Sequence, residues 1–311
     1  MCCLACLWKR VRDMKPPLVS VLVTVYKQGR YVRETLKSVV GQTFPDWEMI
    51  VTDDCSPDNS LEEIHKVSDP RMKIVARPKN SGLANIPRNE MIRAARGKYL
   101  AFLDGDDVWL PEKLERQVRF MEDNPGYPFS HVACMVIDPD GKDLYMRNGG
   151  CYPPNGDCFR ELMKKCFICT STVMVRRDFL EEVGSFSEER CLRNNGDDTE
   201  FFLRCARKGK IGMPTTEMLA RYRWDNQSLT HHPSRWKPGL DLLKRHDLWE
   251  GRMSREEVRS LVWQNHDEQG YLHRRNGNWA AVRWHAGKMI GLYPWRLQGT
   301  RQLLAGILHR P

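Results

Sequence analysis

The chain has 311 residues, with 49 lysines and arginines against 40 aspartates and glutamates, and a formal net charge of +9 at neutral pH. This length allows one large domain or two of ordinary size. Hydrophobic residues make up 41% of the sequence, which is enough for a sizeable core and excludes a wholly disordered chain. The charge is uneven, because residues 231–311 carry 14 basic and 7 acidic residues, a net charge of +7, whereas the first 230 carry 35 and 33, a net charge of +2.

Short apolar runs alternate with helical patterns through the first 125 residues. Strands are predicted at 18–26, 47–51, 72–76 and 98–103, and helices at 32–40, 60–67, 85–95 and 110–123. This alternation favours right-handed βαβ crossovers and a mostly parallel sheet with helices on both faces. Residues 127–230 indicate short strands, loops and one helix at 198–208, and the sequence beyond residue 236 is helical in character. The sequence therefore predicts an α/β, Rossmann-like fold with a C-terminal helical extension.

The eleven cysteines are odd in number and irregularly spaced. Two CxxC pairs occur, Cys3 with Cys6 and Cys166 with Cys169, but they lie far apart in the sequence and neither has a histidine at zinc-finger spacing. The N-terminus has a short apolar start before its basic residues, the reverse of a signal peptide, and no apolar run approaches the ~18 residues that span a bilayer. We therefore expect reduced thiols and a cytoplasmic protein.

Acidic residues follow two of the predicted strands. The second strand leads into Asp53 and Asp54, and the fourth leads into Asp104, Asp106 and Asp107. In an open parallel sheet, ligands bind outside the carboxyl ends of the strands, so both clusters are expected at one edge. Each cluster alone is also typical of a turn. Together they favour a nucleotide site with a hard divalent cation, which takes carboxylate and phosphate oxygens.

Two common phosphate-binding motifs are missing from the sequence. No GxGxxG follows the first strand, which disfavours a dinucleotide site, and no GxxxxGK[ST] is present, which disfavours a P-loop. The phosphates would then be held by a metal and by local side chains.

Two long segments resemble the family 2 glycosyltransferases of GT-A fold. They are VSVLVTVYKQGRYVRETLKSVVGQTFPDWEMIVTDDCSPDNS and NSGLANIPRNEMIRAARGKYLAFLDGDDVWLPEKL. The resemblance is continuous from Val19 to Glu115 and extends more loosely through GDDTEFFLRCARKG. It implies a GT-A fold and an inverting, metal-dependent sugar transfer.

The resemblance also implies which residues contact the nucleotide. Thr24, Val25 and Tyr26 would end the first strand beside the base. Asp54 would bind the base or the ribose, and Asp53 would support it.

Further roles concern the diphosphate, the metal and the sugar. Arg88 and Asn89 would face the donor diphosphate. Asp104 and Asp106 correspond to the DxD acids, with Asp106 holding Mg²⁺ or Mn²⁺ and Asp104 contacting the ribose or the sugar. Trp109 would line the sugar pocket.

The stretch Gly196-Asp197-Asp198 occupies the place of the Glu-Asp motif of the family, which makes Asp198 the expected catalytic base. The sequence departs from the family pattern at Asp197, where Glu is usual, and at Lys27, where Asn is common. It lacks the QxxRW motif of processive members, so a single sugar addition is expected.

The implied reaction moves one sugar from a nucleotide-diphosphate sugar, with UDP as the expected nucleotide, to a hydroxyl of a glycan or a lipid-linked acceptor. This activity would serve cell-surface polysaccharide or glycolipid synthesis. Two alternatives are a sugar-phosphate nucleotidyltransferase and a non-catalytic nucleotide-sugar-binding module. The first is disfavoured because no glycine-rich basic loop follows the first strand, and the second because none of the acids is lost.

Three regions are expected: an N-terminal lead at 1–17, a catalytic domain at 18–230 and a basic helical region at 231–311. The helices of the last region are expected either to pack as a small appendage or to lie on the anionic inner leaflet of the cell membrane. A nucleic-acid partner is not expected, because no reader motif accompanies the charge. Arg221-Tyr222-Arg223 is compatible with contact to the donor phosphates or with a strand that has a polar face.

Overall fold

A computed structural model describes residues 16–152, 155–189, 197–225, 245–275 and 278–292. The chain divides into two compact units. The first comprises Met1–Cys158, Phe167–Glu188 and Lys208–Asn226, and the second comprises Phe159–Cys166, Glu189–Arg207 and Gln227–Pro311.

The first unit contains a seven-stranded sheet with the order β10-β6-β9-β4-β1-β2-β3. Its strands are β1 (Val19–Val25), β2 (Trp47–Asp53), β3 (Met72–Ala76), β4 (Tyr99–Asp104), β6 (Phe129–Ser130), β9 (Met174–Arg176) and β10 (Ile211–Gly212). The first four strands run parallel, β9 is antiparallel to both β4 and β6, and β10 is parallel to β6. The mostly parallel sheet is confirmed, and antiparallel β9 is the addition that the alternating pattern did not indicate.

Helices connect the parallel strands of this sheet. They are α1 (Val32–Val40), α2 (Ser60–His65), α3 (Asn85–Ala94) and α4 (Lys113–Asp123). Every residue of β1 is buried, as expected for a central strand covered on both faces. Leu36 and Val39 of α1 and Leu114 of α4 join β1 in one hydrophobic core.

A second, four-stranded sheet has the order β5-β11-β7-β8. It is formed by β5 (Val108–Trp109), β7 (Ala133–Ile137), β8 (Asp143–Met146) and β11 (Met218–Arg223). β5 follows the acidic stretch after β4 directly and pairs antiparallel with β11. This pairing brings Arg223 from far along the chain to the acidic residues. Helix α6 (Arg177–Val183) completes the first unit.

The second unit is helical where it is described. It contains α5 (Phe159–Lys164), most of α7 (Asp197–Lys208), α8 (His246–Trp249), α9 (Arg255–Arg275) and α10 (Trp279–Leu292). Helices α9 and α10 pack against each other and bury Val258, Leu261, Val282, Ala286 and Met289. The predicted helical extension is therefore present, and its last candidate helix, TRQLLAGILH, lies outside the described residues. The boundary predicted at residue 230 also lies outside them and stays a prediction.

None of the helices in the described part of the chain is both long enough and apolar enough to cross a membrane.

Candidate active site

The two acidic clusters lie at the same edge of the seven-stranded sheet. The register of β1 with β2 places Val25 beside Asp53, and the register of β1 with β4 places Thr24 beside Asp104. The hydroxyl of Thr24 donates a hydrogen bond of 3.2 Å to Asp104 Oδ1. The juxtaposition expected from the strand ends is therefore present, because neighbouring parallel strands end together.

Asp54 is buried and accepts hydrogen bonds from three residues. Arg77 Nη1 lies 2.5 Å from one carboxylate oxygen, and Asn80 Nδ2 lies 3.0 Å from the other. Ser81 donates both its backbone N–H, at 3.0 Å, and its hydroxyl, at 2.6 Å. These bonds fix the Asn80-Ser81 turn against the end of β2. They also occupy the oxygens that we expected to bind the base or the ribose, so that role of Asp54 remains a prediction.

Asp53 is equally buried but carries fewer bonds. Its Oδ2 accepts a hydrogen bond of 3.1 Å from Ser56 N. Its Oδ1 has no hydrogen-bond partner among the described residues. A buried carboxylate oxygen without a partner is costly in the absence of a ligand. Asp53 thus has spare accepting capacity where Asp54 has little.

The other residues expected beside the base differ in exposure. Val25 is part of the core, and its backbone oxygen accepts a hydrogen bond from Asp54 N. The side chain of Tyr26, by contrast, is 39% exposed at the end of β1. Its ring is therefore partly accessible, with Lys27 Nζ 5.4 Å from the ring centre, whereas the side chain of Val25 packs beside Gly105.

Arg88 reaches the acidic edge from α3. It is buried, and its Nη2 donates a hydrogen bond of 2.6 Å to Asp104 Oδ1. Asn89 is also buried, but its amide donates to Phe186 O and Glu188 Oε1 instead. The structure therefore brings Arg88 to the expected site and assigns Asn89 a role in holding the loop after α6.

Like charges accumulate at the end of β4. Removal from water raises the pKa of Asp106 to about 7, and the charge of Asp104 adds to the rise. Burial raises the pKa of Asp107 well above its usual value, with a further contribution from Asp106. The stretch Asp104–Asp107, hereafter the acid loop, thus holds closely spaced carboxylates. A bound cation would reduce the repulsion between them.

A hydroxyl that the sequence reading missed links both ends of the acid loop. Ser171 Oγ accepts a hydrogen bond of 3.1 Å from Asp104 N and donates to Asp107 Oδ2. Its backbone oxygen accepts a bond of 2.6 Å from the indole N–H of Trp109. Only the fold brings Ser171 here, since it lies 64 residues from Asp107.

Trp109, predicted to line the sugar pocket, is 2% exposed and belongs to the hydrophobic core. Lys113 Nζ lies 3.6 Å from the centre of its ring. Trp109 supports the acid loop through Ser171 in this conformation, and its contact with a sugar remains a prediction.

Gly105 is required by close packing. A Cβ atom here would lie 2.4 Å from Gln28 Oε1, 3.0 Å from Val25 Cγ2 and 3.1 Å from Thr24 O. The glycine therefore permits a close approach of two chain segments.

Asp198, the expected base, lies in the first turn of α7 and is partly exposed. It belongs to the second unit, whereas the acid loop belongs to the first. Gly196 lies outside the described residues.

The fit of a divalent cation can be judged from the donor set. Asp104 and Asp106 offer carboxylate oxygens, and the side chain of Asp104 is 29% exposed. The described residues contain no group of three or more His, Cys, Asp or Glu side chains arranged to hold a metal. One or two carboxylates suit Mg²⁺ or Mn²⁺, which complete their shells with water and phosphate oxygens. The residues therefore fit a cation that binds together with a phosphate ligand.

The sequence profile of glycosyl transferase family 2 matches residues 20–184. A teichuronic acid biosynthesis glycosyltransferase of Bacillus subtilis, whose function is itself described as putative, is 33% identical over 71% of this chain and 84% of its own length. An Escherichia coli UDP-Glc:α-D-GlcNAc-diphosphoundecaprenol β-1,3-glucosyltransferase is 31% identical over 52% of this chain and 62% of its own. The solved structure of a Pyrobaculum calidifontis mannosyltransferase with GDP-Man and Mn²⁺ superimposes with a TM-score of 0.59 and 18% identity, over 97% of this chain and 92% of that one, which shows the fold. The predicted GT-A architecture is thereby confirmed, and the chain is a glycosyltransferase that belongs to glycosyl transferase family 2.

Proposed function

We propose that this glycosyltransferase transfers one sugar from a UDP-sugar to a hydroxyl of a glycan or lipid-linked acceptor, with inversion at the anomeric carbon. The observation that supports this proposal most is the meeting of Asp53-Asp54 and the acid loop at one edge of the sheet. The B. subtilis relative is named for teichuronic acid synthesis, and the E. coli relative for a UDP-Glc donor and a diphosphoundecaprenol acceptor. Both names fit an envelope glycan.

The nucleotide would bind at the ends of β1 and β2. Tyr26 presents an exposed ring for stacking against the base. Asp53 offers the spare carboxylate oxygen, and Asp54 keeps the neighbouring turn in place through Asn80 and Ser81. Asp54 would then contact the base or the ribose only if one of its present bonds is exchanged for one to the ligand.

The diphosphate and the metal would bind at the acid loop. Asp106, assisted by Asp104, would hold Mg²⁺ or Mn²⁺, and Arg88 would add its positive charge beside Asp104. The cation would stabilise the negative charge that develops on the leaving nucleotide diphosphate.

The base would be Asp198. An ionised carboxylate at this position would accept the proton of the acceptor hydroxyl while its oxygen attacks the anomeric carbon from the face opposite the leaving group. Removing a placed general base costs roughly 10²–10⁴-fold in rate.

The experiment combines ligand titration with product analysis. In calorimetric titrations with UDP and Mn²⁺, Asp106→Asn should weaken Mn²⁺-dependent binding at least tenfold, because it removes a charged ligand. Asp198→Asn should retain donor binding within about twofold and lose sugar transfer. Chelation by EDTA should reduce transfer, and added Mn²⁺ should restore it. Transfer by Asp198→Asn at the parental rate would exclude Asp198 as the base.

Product analysis separates this proposal from the nucleotidyltransferase alternative. Sugar transfer releases UDP, whereas a nucleotidyltransferase acting on a sugar phosphate and UTP releases pyrophosphate. A non-catalytic binding module would bind UDP and Mn²⁺ and release neither product in the presence of a competent acceptor.

A further inference from the structure

Arg223 is the last residue of β11 and lies beside the acid loop. The register of β5 with β11 places Trp109 opposite Ala220 and Val108 opposite Arg221. The pairing therefore brings the end of β11 toward the acid loop, which precedes β5. There the backbone N–H of Arg223 donates a hydrogen bond of 2.8 Å to Asp107 Oδ1.

The side chain of Arg223 bonds to three separate segments. Its Nε donates to Asp106 O at 2.9 Å, inside the acid loop. Its Nη1 donates to Asp138 O at 3.2 Å and Pro139 O at 3.1 Å, in the turn between β7 and β8. Its Nη2 donates to Glu34 Oε2 of α1 at 2.7 Å. The side chain of Arg223 is only 2% exposed, whereas that of Glu34 is 56% exposed, so the guanidinium is buried and the Glu34 carboxylate reaches solvent.

The guanidinium is also fixed from one face. Its central carbon lies 4.6 Å from the centre of the Tyr31 ring, and the hydroxyl of Tyr31 donates a hydrogen bond of 2.6 Å to Asp225. A planar group with several donors in fixed directions is the property that distinguishes arginine from lysine. The hydrogen bonds of Arg223 therefore depend on the planar shape of its guanidinium as well as on its charge.

We infer that Arg223 is a positioning residue that holds the acid loop in the conformation that binds the cation and the donor diphosphate, with Glu34 keeping the guanidinium on the backbone of the loop. This inference rests on the proposed function, because it concerns the same site. Arg223 donates to the carbonyl of Asp106 through its side chain and to the carboxylate of Asp107 through its backbone N–H. Neither bond uses the carboxylate of Asp106, which accepts a hydrogen bond from Gln28.

A positioning role and a purely electrostatic role predict opposite effects on Mn²⁺ binding. If Arg223 acted only as a nearby positive charge, its removal would relieve repulsion and tighten the binding of a divalent cation. If it orders the acid loop, its removal weakens Mn²⁺ binding although the local charge becomes more negative. The sign of the change therefore decides between the two roles.

The test uses the full chain and calorimetric titration of Mn²⁺ in the presence of saturating UDP. We expect Arg223→Met to weaken Mn²⁺ binding at least tenfold and Arg223→Lys to weaken it by a similar factor, since lysine restores the charge without the planar group. At saturating Mn²⁺, transfer by both variants should recover to within about threefold of the parent. Arg221→Met is the matched control, because Arg221 is a neighbouring arginine on the same strand that pairs with Asp143, and it should change Mn²⁺ affinity less than twofold.

Unchanged or tighter Mn²⁺ binding by Arg223→Met, or full affinity in Arg223→Lys, would overturn the inference. Circular dichroism and thermal unfolding establish whether each variant folds. If Arg223→Met does not fold, Arg223→Lys and Glu34→Gln carry the test, and Glu34→Gln should also weaken Mn²⁺ binding, by about threefold. If the parent itself shows no Mn²⁺-dependent UDP binding, the proposed function fails and the inference fails with it. Parental binding with unaffected variants rejects the inference alone.

Discussion

At the scale of single residues, the acids of the site separate into two kinds. Asp54 and Asp107 accept hydrogen bonds from several protein donors and organise the turns that carry them. Asp53 keeps an oxygen without a partner among the described residues, and Asp106 sits where burial and Asp104 raise its pKa. Residues of the first kind build the edge of the sheet, and residues of the second kind are the ones that a ligand would complete.

A prediction at the scale of residues concerns Lys113, which lies beneath Trp109, and its effect on the stability of the fold. Its side chain is fully buried, and its Nζ has no hydrogen-bond partner among the described residues. Burial lowers the pKa of Lys113 well below its usual value of 10.5. Lys113→Met, which keeps the length of the chain without the amine, should therefore raise the free energy of unfolding at pH 7 by about 1–3 kcal/mol.

The change of this stability difference with pH provides a second test of the Lys113 prediction. A lysine whose pKa is lower in the folded state than in the unfolded state destabilises the fold below its unfolded pKa, and this cost shrinks as the pH rises toward that pKa. The stability gap between parent and Lys113→Met, measured by urea denaturation, should narrow between pH 7 and pH 10. Lys98→Met is the control, since Lys98 is half-exposed and pairs with Glu122. A variant less stable than the parent at pH 7 would contradict this account.

At the scale of secondary-structure elements, the central strands were predictable because local pattern decides them. β1 is a run of apolar residues buried on both faces, and the helices that follow have clear apolar stripes. The second sheet and the β10-β6 edge of the first sheet were not predictable in the same way, because β5, β6 and β10 are only two residues long. Their pairing depends on partners distant in sequence.

The residues of the candidate site also fall into two groups, those that the local strand pattern predicts and those that only long-range contacts bring together. The positions of Asp53, Asp54 and the acid loop follow from the ends of β2 and β4, so the strand pattern was enough to find them. Ser171 and Arg223 reach the loop across 64 and 117 residues. No local signal marks Ser171, and the stretch Arg221-Tyr222-Arg223 indicated only a contact with the donor phosphates or a strand with a polar face. The family resemblance implied a place for Trp109 in the sugar pocket, whereas its packing here places it in the core.

A prediction at the scale of elements concerns the acid sensitivity of the fold and the buried His131, which lies between β6 and β7. It is buried, with its ring centre 5.8 Å from that of Tyr152 and 5.5 Å from that of Phe167. Burial lowers the pKa of His131 to about 4 from its usual 6.5. The neutral ring therefore stabilises the fold above pH 6.5, and this contribution is lost as the pH falls toward 4. Over that window the loss amounts to about 3 kcal/mol for a difference of this size.

We expect His131→Phe to remove this part of the acid sensitivity. Denaturant unfolding at pH 7 and pH 4.5 should show a smaller loss of stability in the variant than in the parent. His65→Phe, at an exposed position, is the control and should keep the parental difference. Equal acid sensitivity in His131→Phe and the parent would show that His131 does not titrate in this window.

At the scale of the whole molecule, charge and chemistry lie in different parts of the chain. Residues 1–230, which include the acid loop, are nearly neutral, whereas residues 231–311 carry a net charge of +7. Trp249 is buried, while Trp284 is 51% exposed. The described helices therefore support both uses considered for the C-terminal region, packing through some tryptophans and surface contact through another.

Helix α10 makes the membrane alternative testable. Val282, His285, Ala286 and Met289 are buried along one face, whereas Arg283, Trp284 and Lys288 are exposed along the other. Cations beside an exposed indole suit an anionic bilayer, where each basic residue near the surface contributes roughly 1 kcal/mol. Because the acceptor is expected to be a glycan or a lipid-linked glycan, such contact would bring the enzyme to its substrate.

We expect the full chain to sediment with vesicles of phosphatidylglycerol and phosphatidylcholine at low salt, and not with phosphatidylcholine alone. The double variant Arg283→Glu/Lys288→Glu should lose most of this binding, because it reverses two charges on the exposed face. Arg119→Glu/Lys37→Glu serves as the matched control, since it reverses two exposed charges in the first unit. Retained UDP and Mn²⁺ binding by both double variants would show that only location has changed. Parental vesicle binding by Arg283→Glu/Lys288→Glu would instead mean that α10 is not the contact face, because reversing its charges should convert attraction to an anionic surface into repulsion.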